Sequence, residues 1–386
     1  MELTHSFFLI FTGAALLSCI AMYTKQPLLI AYILLGAVIG PYGLGWVENV
    51  ELMEQAAEIG IIFLLFLLGL DMQPSSLFQV LKKATHVTLF SSIAFFAIGF
   101  AIAWLWGFPL LESSVIGAAM MFSSTIIGIK LLPTTALHHK HSGELMVGLL
   151  LMQDFLAILV LLVLLSAETG SISYIALGKA FIALPILVGL SYVLTRFVLL
   201  KLFARFDRIQ EFIFLLAIGW CLGIAELAHI LGLSLEIGAF VAGISLATSP
   251  ISQFIALSLK PLRDFFLILF FFAVGAGFNL HLLPAIAVPA LLLAALLLVL
   301  KPVVFRFLVH KQSETNQLAW DVGFRLGQIS EFSLLIAFLA FETGLLSEMG
   351  SMLVQATAII TFLISSYIVI FNYPNPLAVS DRLRRD

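Results

Sequence analysis

Gln153 and Asp154 stand side by side in the apolar run 143–165, about eleven residues from its start. A carboxylate in hydrocarbon costs roughly 2.5–3.5 kcal/mol on insertion scales, so one that is retained is a functional candidate. Its chemistry is narrow. It holds a proton or ligates a cation through oxygen, and the neighbouring amide offers a further oxygen. Lys301, which follows the unbroken run 290–300 and precedes Pro302, is its natural basic counterpart, because a buried ammonium and a buried carboxylate each need a partner or must neutralise. A purely structural ion pair is the competing reading. Two more clusters, Phe122-Ser123-Ser124-Thr125 and Gly327-Gln328-Ile329-Ser330-Glu331-Phe332, interrupt apolar segments at comparable depth. Ser, Thr, Gln and Gly can re-satisfy backbone groups freed by a helix break, and such backbone survives in a membrane only when it lines a cavity or is buried in protein. Half-helix ends meeting there would present both dipole signs to an ion, with Glu331 neutralising positive ends. Taken singly, either cluster also reads as a helix-packing face.

The elements that must position these residues are membrane helices. Of 386 residues, 62% are hydrophobic and 11% charged, and the mean hydropathy is +1.14; a water-soluble fold has about half apolar and a quarter charged residues. Apolar runs of roughly 17–25 residues suit helices crossing about 30 Å of hydrocarbon, whereas a β-barrel would show shorter segments of alternating polarity. Polar and Pro/Gly clusters divide the chain into thirteen spans near 6–22, 27–40, 56–70, 86–106, 113–135, 143–165, 172–194, 210–228, 234–247, 263–279, 285–307, 318–341 and 349–371. Fifteen of the nineteen Lys and Arg residues fall in or beside odd-numbered loops or in the C-terminal tail. The positive-inside rule then puts the C-terminus in the cytoplasm and the N-terminus outside, in a bacterial inner membrane. The first apolar stretch lacks a basic n-region and a cleavage site, and reads as a retained helix.

The halves match at an offset of about 206 residues. Gly36 and Gly40 of span two answer to Gly243 of span nine, Gly69 of span three to Gly275 of span ten, and Ser124 to Ser330. Six spans followed by one connecting span put the second unit in the opposite orientation, giving the inverted repeat that marks secondary transporters.

Other polar residues take plainer readings. Cys19 and Cys221 are core packing; Glu226, His229 and Glu236 are solvated near an external loop; Lys130 and Lys179 snorkel, as does Arg325 unless it pairs with Asp321. His138-His139-Lys140-His141 form a solvated loop or a pH sensor. A net charge of −3 with no basic patch argues against nucleic acid. No phosphate-cradling motif or matched nucleophile and base occurs, so neither ATP-driven transport nor an enzyme is expected, and no cofactor.

Gln153-Asp154, Ser123-Ser124-Thr125, the stretch 238–243, the Phe270–Gly275 run, Lys301 and the stretch 327–332 together resemble the monovalent cation:proton antiporter-2 family, on its Kef-like potassium/proton branch. The likeness runs in order from about residue 25 to 365. It implies an all-α sodium/proton-antiporter-like fold of thirteen transmembrane helices, two inverted six-helix repeats and two broken crossing helices. It further implies a homodimer in lipid, with a dimerisation subdomain from about 6–70 and 210–279, a mobile core from about 86–165 and 285–371, and a linker helix near 172–194. Electrogenic relatives carry two adjacent acids where this chain has Gln153-Asp154, a form that favours potassium over sodium. Kef-type proteins continue into a cytoplasmic nucleotide-binding domain, which here would be a separate regulatory subunit or a C-terminal domain beyond this sequence.

The expected activity is electroneutral exchange of K⁺, or Na⁺, for H⁺ by elevator-type alternating access. Asp154 binds the ion or the proton, Gln153, Ser123, Ser124 and Thr125 supply further oxygens, and Lys301, Glu331, Gln328 and Ser330 support them. Lys301 either competes with the ion for Asp154 or only braces the crossing, and exchange becomes electrogenic if it also releases a proton in each cycle. A cation channel and a sodium-coupled symporter of an organic solute are the alternatives.

Overall fold

The computed structural model describes residues 3–47, 51–71, 74–125, 128, 141–165, 167–168, 171–172, 174–206, 209–312 and 314–374. The chain is helical, as it must be where backbone groups find no water. Five helices, α1 (Leu3–Tyr23), α2 (Leu28–Ile39), α3 (Glu51–Asp71), α4 (Pro74–Leu105) and α5 (Leu110–Met120), come first. Next are α6 (His141–Leu164), the two-residue strands β1 (Ala167–Glu168) and β2 (Ser171–Ile172), and α7 (Tyr174–Leu194), which runs through a π-helical turn, Thr195–Leu199, into α8 (Leu200–Arg205). The remainder is α9 (Gln210–Ile230), α10 (Leu235–Ala247), α11 (Ser252–Ala276), α12 (Leu283–Lys311), α13 (Asn316–Arg325), α14 (Glu331–Glu342) and α15 (Glu348–Asn372). Among the described residues seven helices are long and apolar enough to cross a membrane, and α2, α5, α10 and the 55–70 stretch of α3 are shorter apolar helices.

Several helices outrun their expected spans on the basic side. α4 starts at Pro74 rather than near 86, α11 at Ser252 rather than 263, and α7 continues through Arg196 and Lys201 to Arg205. Hydropathy reports only the lipid-buried stretch, whereas Leu, Lys, Arg and Ala are good helix formers and carry the backbone ladder onward. The span expected at 318–341 is two helices, α13 and α14, parted by 326–330. The 172–194 segment begins in the short β1–β2 hairpin instead of a helix. Cys19 is exposed on α1 rather than packed in a core, while Cys221 is buried.

Helix contacts fall into two groups. In one, α2 packs on α11, α3 on α10 and α11, and α9 on α10; in the other, α4 packs on α5, α6 and α12, while α15 packs on α12 and α14. Glycines set the first group. A Cβ on Gly275 would collide with the carbonyl oxygen of Ile33 in α2, and one on Gly36 with that of Phe272 in α11. Gly243 meets the Phe66 carbonyl and Gly69 the Phe240 carbonyl in the same way, so α3 and α10 also cross backbone to backbone. Close approach of small residues is how membrane helices gain packing without a hydrophobic drive. Phe270 of α11 sets its ring edge-on to Phe338 of α14 at 5.8 Å, joining the two groups.

Gly243→Val and Gly275→Val each force these crossings apart, with an expected loss of about 1–3 kcal/mol or more. Thermal unfolding in detergent checks this, and an unchanged melting temperature in both variants contradicts the packing described.

Candidate functional site

Two helix breaks meet beside Asp154. α5 ends at Met120 with Met121 as its cap, residues 122–124 run without helical structure, and a helical turn is resumed at Thr125, where the Gly128 N–H bonds the Ser124 carbonyl at 3.0 Å. α13 ends at Arg325 with Leu326 as its cap, and α14 starts from Ser330, whose hydroxyl accepts from the Phe332 N–H while the Ser333 hydroxyl accepts from the Ser330 N–H. The Ser333 hydroxyl in turn donates to the Ala119 carbonyl near the end of α5. Each break leaves carbonyls at a helix C-terminus and N–H groups at an N-terminus that must be answered inside the protein.

Lys301 answers the carbonyls. Fully buried, it donates to Phe122 O at 2.6 Å, Gln328 O at 3.0 Å and Ser123 Oγ at 3.3 Å, and its ammonium lies 4.9 Å from the centre of the Phe95 ring. An ammonium has three donors, and here they are directed to one oxygen from each break and to one hydroxyl. A cation at helix C-termini is also favoured by the dipole. The sequence pairs Lys301 with Asp154, yet no ion pair joins them among the described residues. Of the two roles the sequence leaves to Lys301, competing with the ion for Asp154 or bracing the crossing, these contacts are those of a brace, and the carbonyls that take the ammonium have no letter in the sequence.

Asp154, 2% exposed on α6, accepts from the Thr125 hydroxyl at 3.4 Å. Among the described residues the charged group within its electrostatic reach is another acid, Glu331 in the first turn of α14, where a helix dipole favours negative charge. Beside it, Gln153 accepts the Ser123 N–H at 3.0 Å through Oε1, and its Nε2 has no partner among the described residues. Ser123 Oγ donates to Leu326 O at 2.9 Å, fastening one break to the other. Ser124 is buried alongside. Gln328 donates to Arg325 O at 2.9 Å and accepts from Ser365 at 2.7 Å, so its side chain closes the α13 end. Ser123, Ser124, Thr125, Gln153, Asp154, Lys301, Gln328, Ser330 and Glu331 thus belong to one neighbourhood. Chemically it offers a dry carboxyl flanked by hydroxyl and amide oxygens, fit to hold a proton or a cation.

Ser333, Thr361, Ser365 and Phe95 belong to it as well, although the sequence did not single them out. Thr361 accepts the Ile329 N–H at 3.4 Å. A Ser three residues after Ser330 and hydroxyls at 357, 361 and 365 on one face of α15 were the available signals. Arg325 does not snorkel: it is buried, pairs with Asp321 at 2.8 Å and donates to the Pro374 carbonyl at 2.7 Å. Lys179 is exposed. Lys130 and the run His138-His139-Lys140 lie outside the described residues.

Residues 7–371 match the transmembrane sodium/hydrogen exchanger family. The chain belongs to that family. Within the exchanger family it sits on the Kef-like branch of monovalent cation:proton antiporter-2. K(+) efflux antiporter 4 of Arabidopsis thaliana is 33% identical over 347 residues, 86% of this chain and 58% of that protein. The putative cation/proton antiporter YbaL of Escherichia coli strain K12 is 30% identical over 370 residues, 91% of this chain and 65% of that protein. The chain therefore spans less than two thirds of the length of these curated relatives. The solved sodium proton antiporter MjNhaP1 of Methanocaldococcus jannaschii shares the fold, with a TM-score of 0.69 and 18% identity over 95% of this chain and 99% of that one. This exchanger-family chain is accordingly a multi-pass membrane protein of all-helical architecture.

Lys301→Met keeps the length of the side chain and removes every donor. It should destabilise the protein by about 2–5 kcal/mol, from two buried carbonyls left unanswered, and Lys301→Gln by less. Detergent melting curves decide: a Lys301→Met protein as stable as the unmodified one would show that the ammonium does not hold the crossing.

Proposed function

We propose that the chain exchanges one monovalent cation, potassium in preference to sodium, for one proton across a bacterial inner membrane. The observation that carries this reading is Asp154, a buried carboxyl with hydroxyl and amide oxygens beside it and no base paired to it among the described residues. Charge in such a place must be compensated. A proton does so, a partly dehydrated cation does so, and the two compete for the same oxygens. Gln153, Ser123, Ser124 and Thr125 complete the shell around the cation, while Lys301, Glu331, Gln328 and Ser330 hold the helix ends. The names of the relatives, a potassium efflux antiporter and a cation/proton antiporter, support the ion pair chosen.

In this reading thirteen spans form two inverted repeats, with the N-terminus outside and the C-terminus in the cytoplasm. The two glycine crossings support it, because α2 on α11 and α10 on α3 are the same contact under an exchange of halves. The α2–α3 and α9–α11 group is then a dimerisation scaffold, from about 6–70 and 210–279. The group of α4–α6 and α12–α15 is the core that carries Asp154 across by an elevator movement, from about 86–165 and 285–371, and α7 links the two.

Asp154→Asn removes the competition. Reconstituted into proteoliposomes, it is expected to fold and to lose potassium-driven proton flux entirely, with sodium the poorer driver in the unmodified protein. Retained pH-dependent exchange in Asp154→Asn overturns the proposal, and cation flux without any opposing proton movement would instead identify a channel.

A further inference from the structure

Arg325 is a buried cation that the ion shell does not use. Its Nε pairs with Asp321 at 2.8 Å, a contact within α13 alone. The other arm leaves that helix: Nη2 donates to the Pro374 carbonyl at 2.7 Å, just past the end of α15. Two further contacts join the same places. The guanidinium lies 5.9 Å from the centre of the Tyr373 ring, and that ring lies 5.6 Å from the ring of Phe324. The earlier turns of α13 are held to α12 instead, by Arg306, which donates to Asn316 at 2.9 Å and lies 4.8 Å from the centre of the Trp320 ring. Gly323 lets the two backbones close at the Pro302 carbonyl, next to Lys301.

The second observation is what the main chain of Arg325 does. Its carbonyl accepts from Gln328 Nε2 at 2.9 Å, Gln328 Oε1 accepts from Ser365 of α15 at 2.7 Å, and the Gln328 carbonyl takes the Lys301 ammonium at 3.0 Å. The α15 segment therefore grips the end of α13 twice, at Pro374 through Arg325 and at Ser365 through Gln328. A pair one helical turn apart needs no third partner, so the ion pair with Asp321 leaves the Pro374 arm unexplained. A rigid guanidinium fork serves two acceptors at once only where both are set in place.

We propose that Arg325 is a positioning residue for exchange: by holding the Pro374 carbonyl it fixes the end of α13 against α15, keeps Gln328 O on Lys301, and so keeps the ammonium off the oxygens that the cation takes at Asp154. Without that hold the Gln328 carbonyl drifts from Lys301 and leaves a buried donor unanswered, which is costly. The Ser123 that accepts from Lys301 at 3.3 Å gives its own N–H to Gln153 at 3.0 Å, so the freed donor turns toward the shell around Asp154 and competes with the cation there. The role in exchange rests on the antiport reading; the hold on the helix break rests on the contacts of Arg325 and Gln328.

Potassium-driven proton flux in proteoliposomes and amide hydrogen exchange in nanodiscs, both on the full chain, test it. Arg325→Met is expected to raise KM for K⁺ about tenfold while kcat changes by no more than about twofold. Arg325→Lys, whose single ammonium replaces the fork, is expected to raise KM about threefold, and it decides the matter if Arg325→Met does not fold. Asp321→Asn keeps an oxygen at the pair and leaves the Pro374 arm, so KM stays where it is. Amides of residues 326–333 should exchange about tenfold faster in Arg325→Met than in the unmodified chain. KM unchanged in every Arg325 variant that folds, or raised as much by Asp321→Asn as by Arg325→Met, overturns the proposal and leaves only an ion pair. If the unmodified chain performs no cation/proton exchange, faster amide exchange at the break upholds the hold of Arg325 and removes its role in exchange, whereas unaltered amide exchange overturns both.

Discussion

The ammonium of Lys301 lies between two helix breaks and donates to a carbonyl from each, Phe122 O and Gln328 O. In hydrocarbon a broken helix is tolerable only if its freed carbonyls and N–H groups are answered within the protein. One side chain with three donors does this for both breaks at once, and the remaining groups follow from it. Ser123, placed next to Phe122, can then reach Leu326 O with its hydroxyl and Gln153 with its N–H. Gln328, next to the second carbonyl, closes the end of α13. Because the cation sits at the C-terminal ends and Glu331 lies in the first turn of α14, both of these charges stand where a helix dipole favours them.

This arrangement separates support from chemistry. With Lys301 committed to backbone oxygens and Glu331 at the α14 N-terminus, Asp154 is the group in our account free to trade one positive charge for another. The account treats the two helix groups differently for the same physical reason. Glycine contacts at Gly36, Gly69, Gly243 and Gly275 bring backbones of the first group so close that sliding between its helices is sterically barred. Contacts from α11 to the second group include larger side chains, such as Phe270 against Phe338, and a cavity remains beside them. In our account a moving core would slip along that boundary.

How much of this could be read from the sequence depended on what each feature costs. Charged residues are expensive in an apolar run, so Asp154, Lys301 and Glu331 stood out, and the Ser/Gly clusters marked both breaks. The helical architecture was equally legible, because runs of apolar residues near 20 long allow little else. Hydroxyls cost little in a membrane helix, so Ser333, Thr361 and Ser365 looked like any others until the backbone brought them to the breaks. The partners of Lys301 were hidden for a different reason: they are main-chain oxygens, and two opposite charges in one sequence look like a pair. Helix ends such as Pro74 and Arg205 were missed because hydropathy marks the edge of lipid, not the edge of a helix.

If Asp154 alone changes its charge partner during the cycle, no net charge crosses the membrane. The most direct test is proton flux in proteoliposomes under a potassium gradient, with the membrane potential clamped at zero and then at values of either sign. Our account predicts the same flux at every potential. Flux that rises and falls with potential would contradict it, by requiring a second group that gives up or gains charge in each cycle.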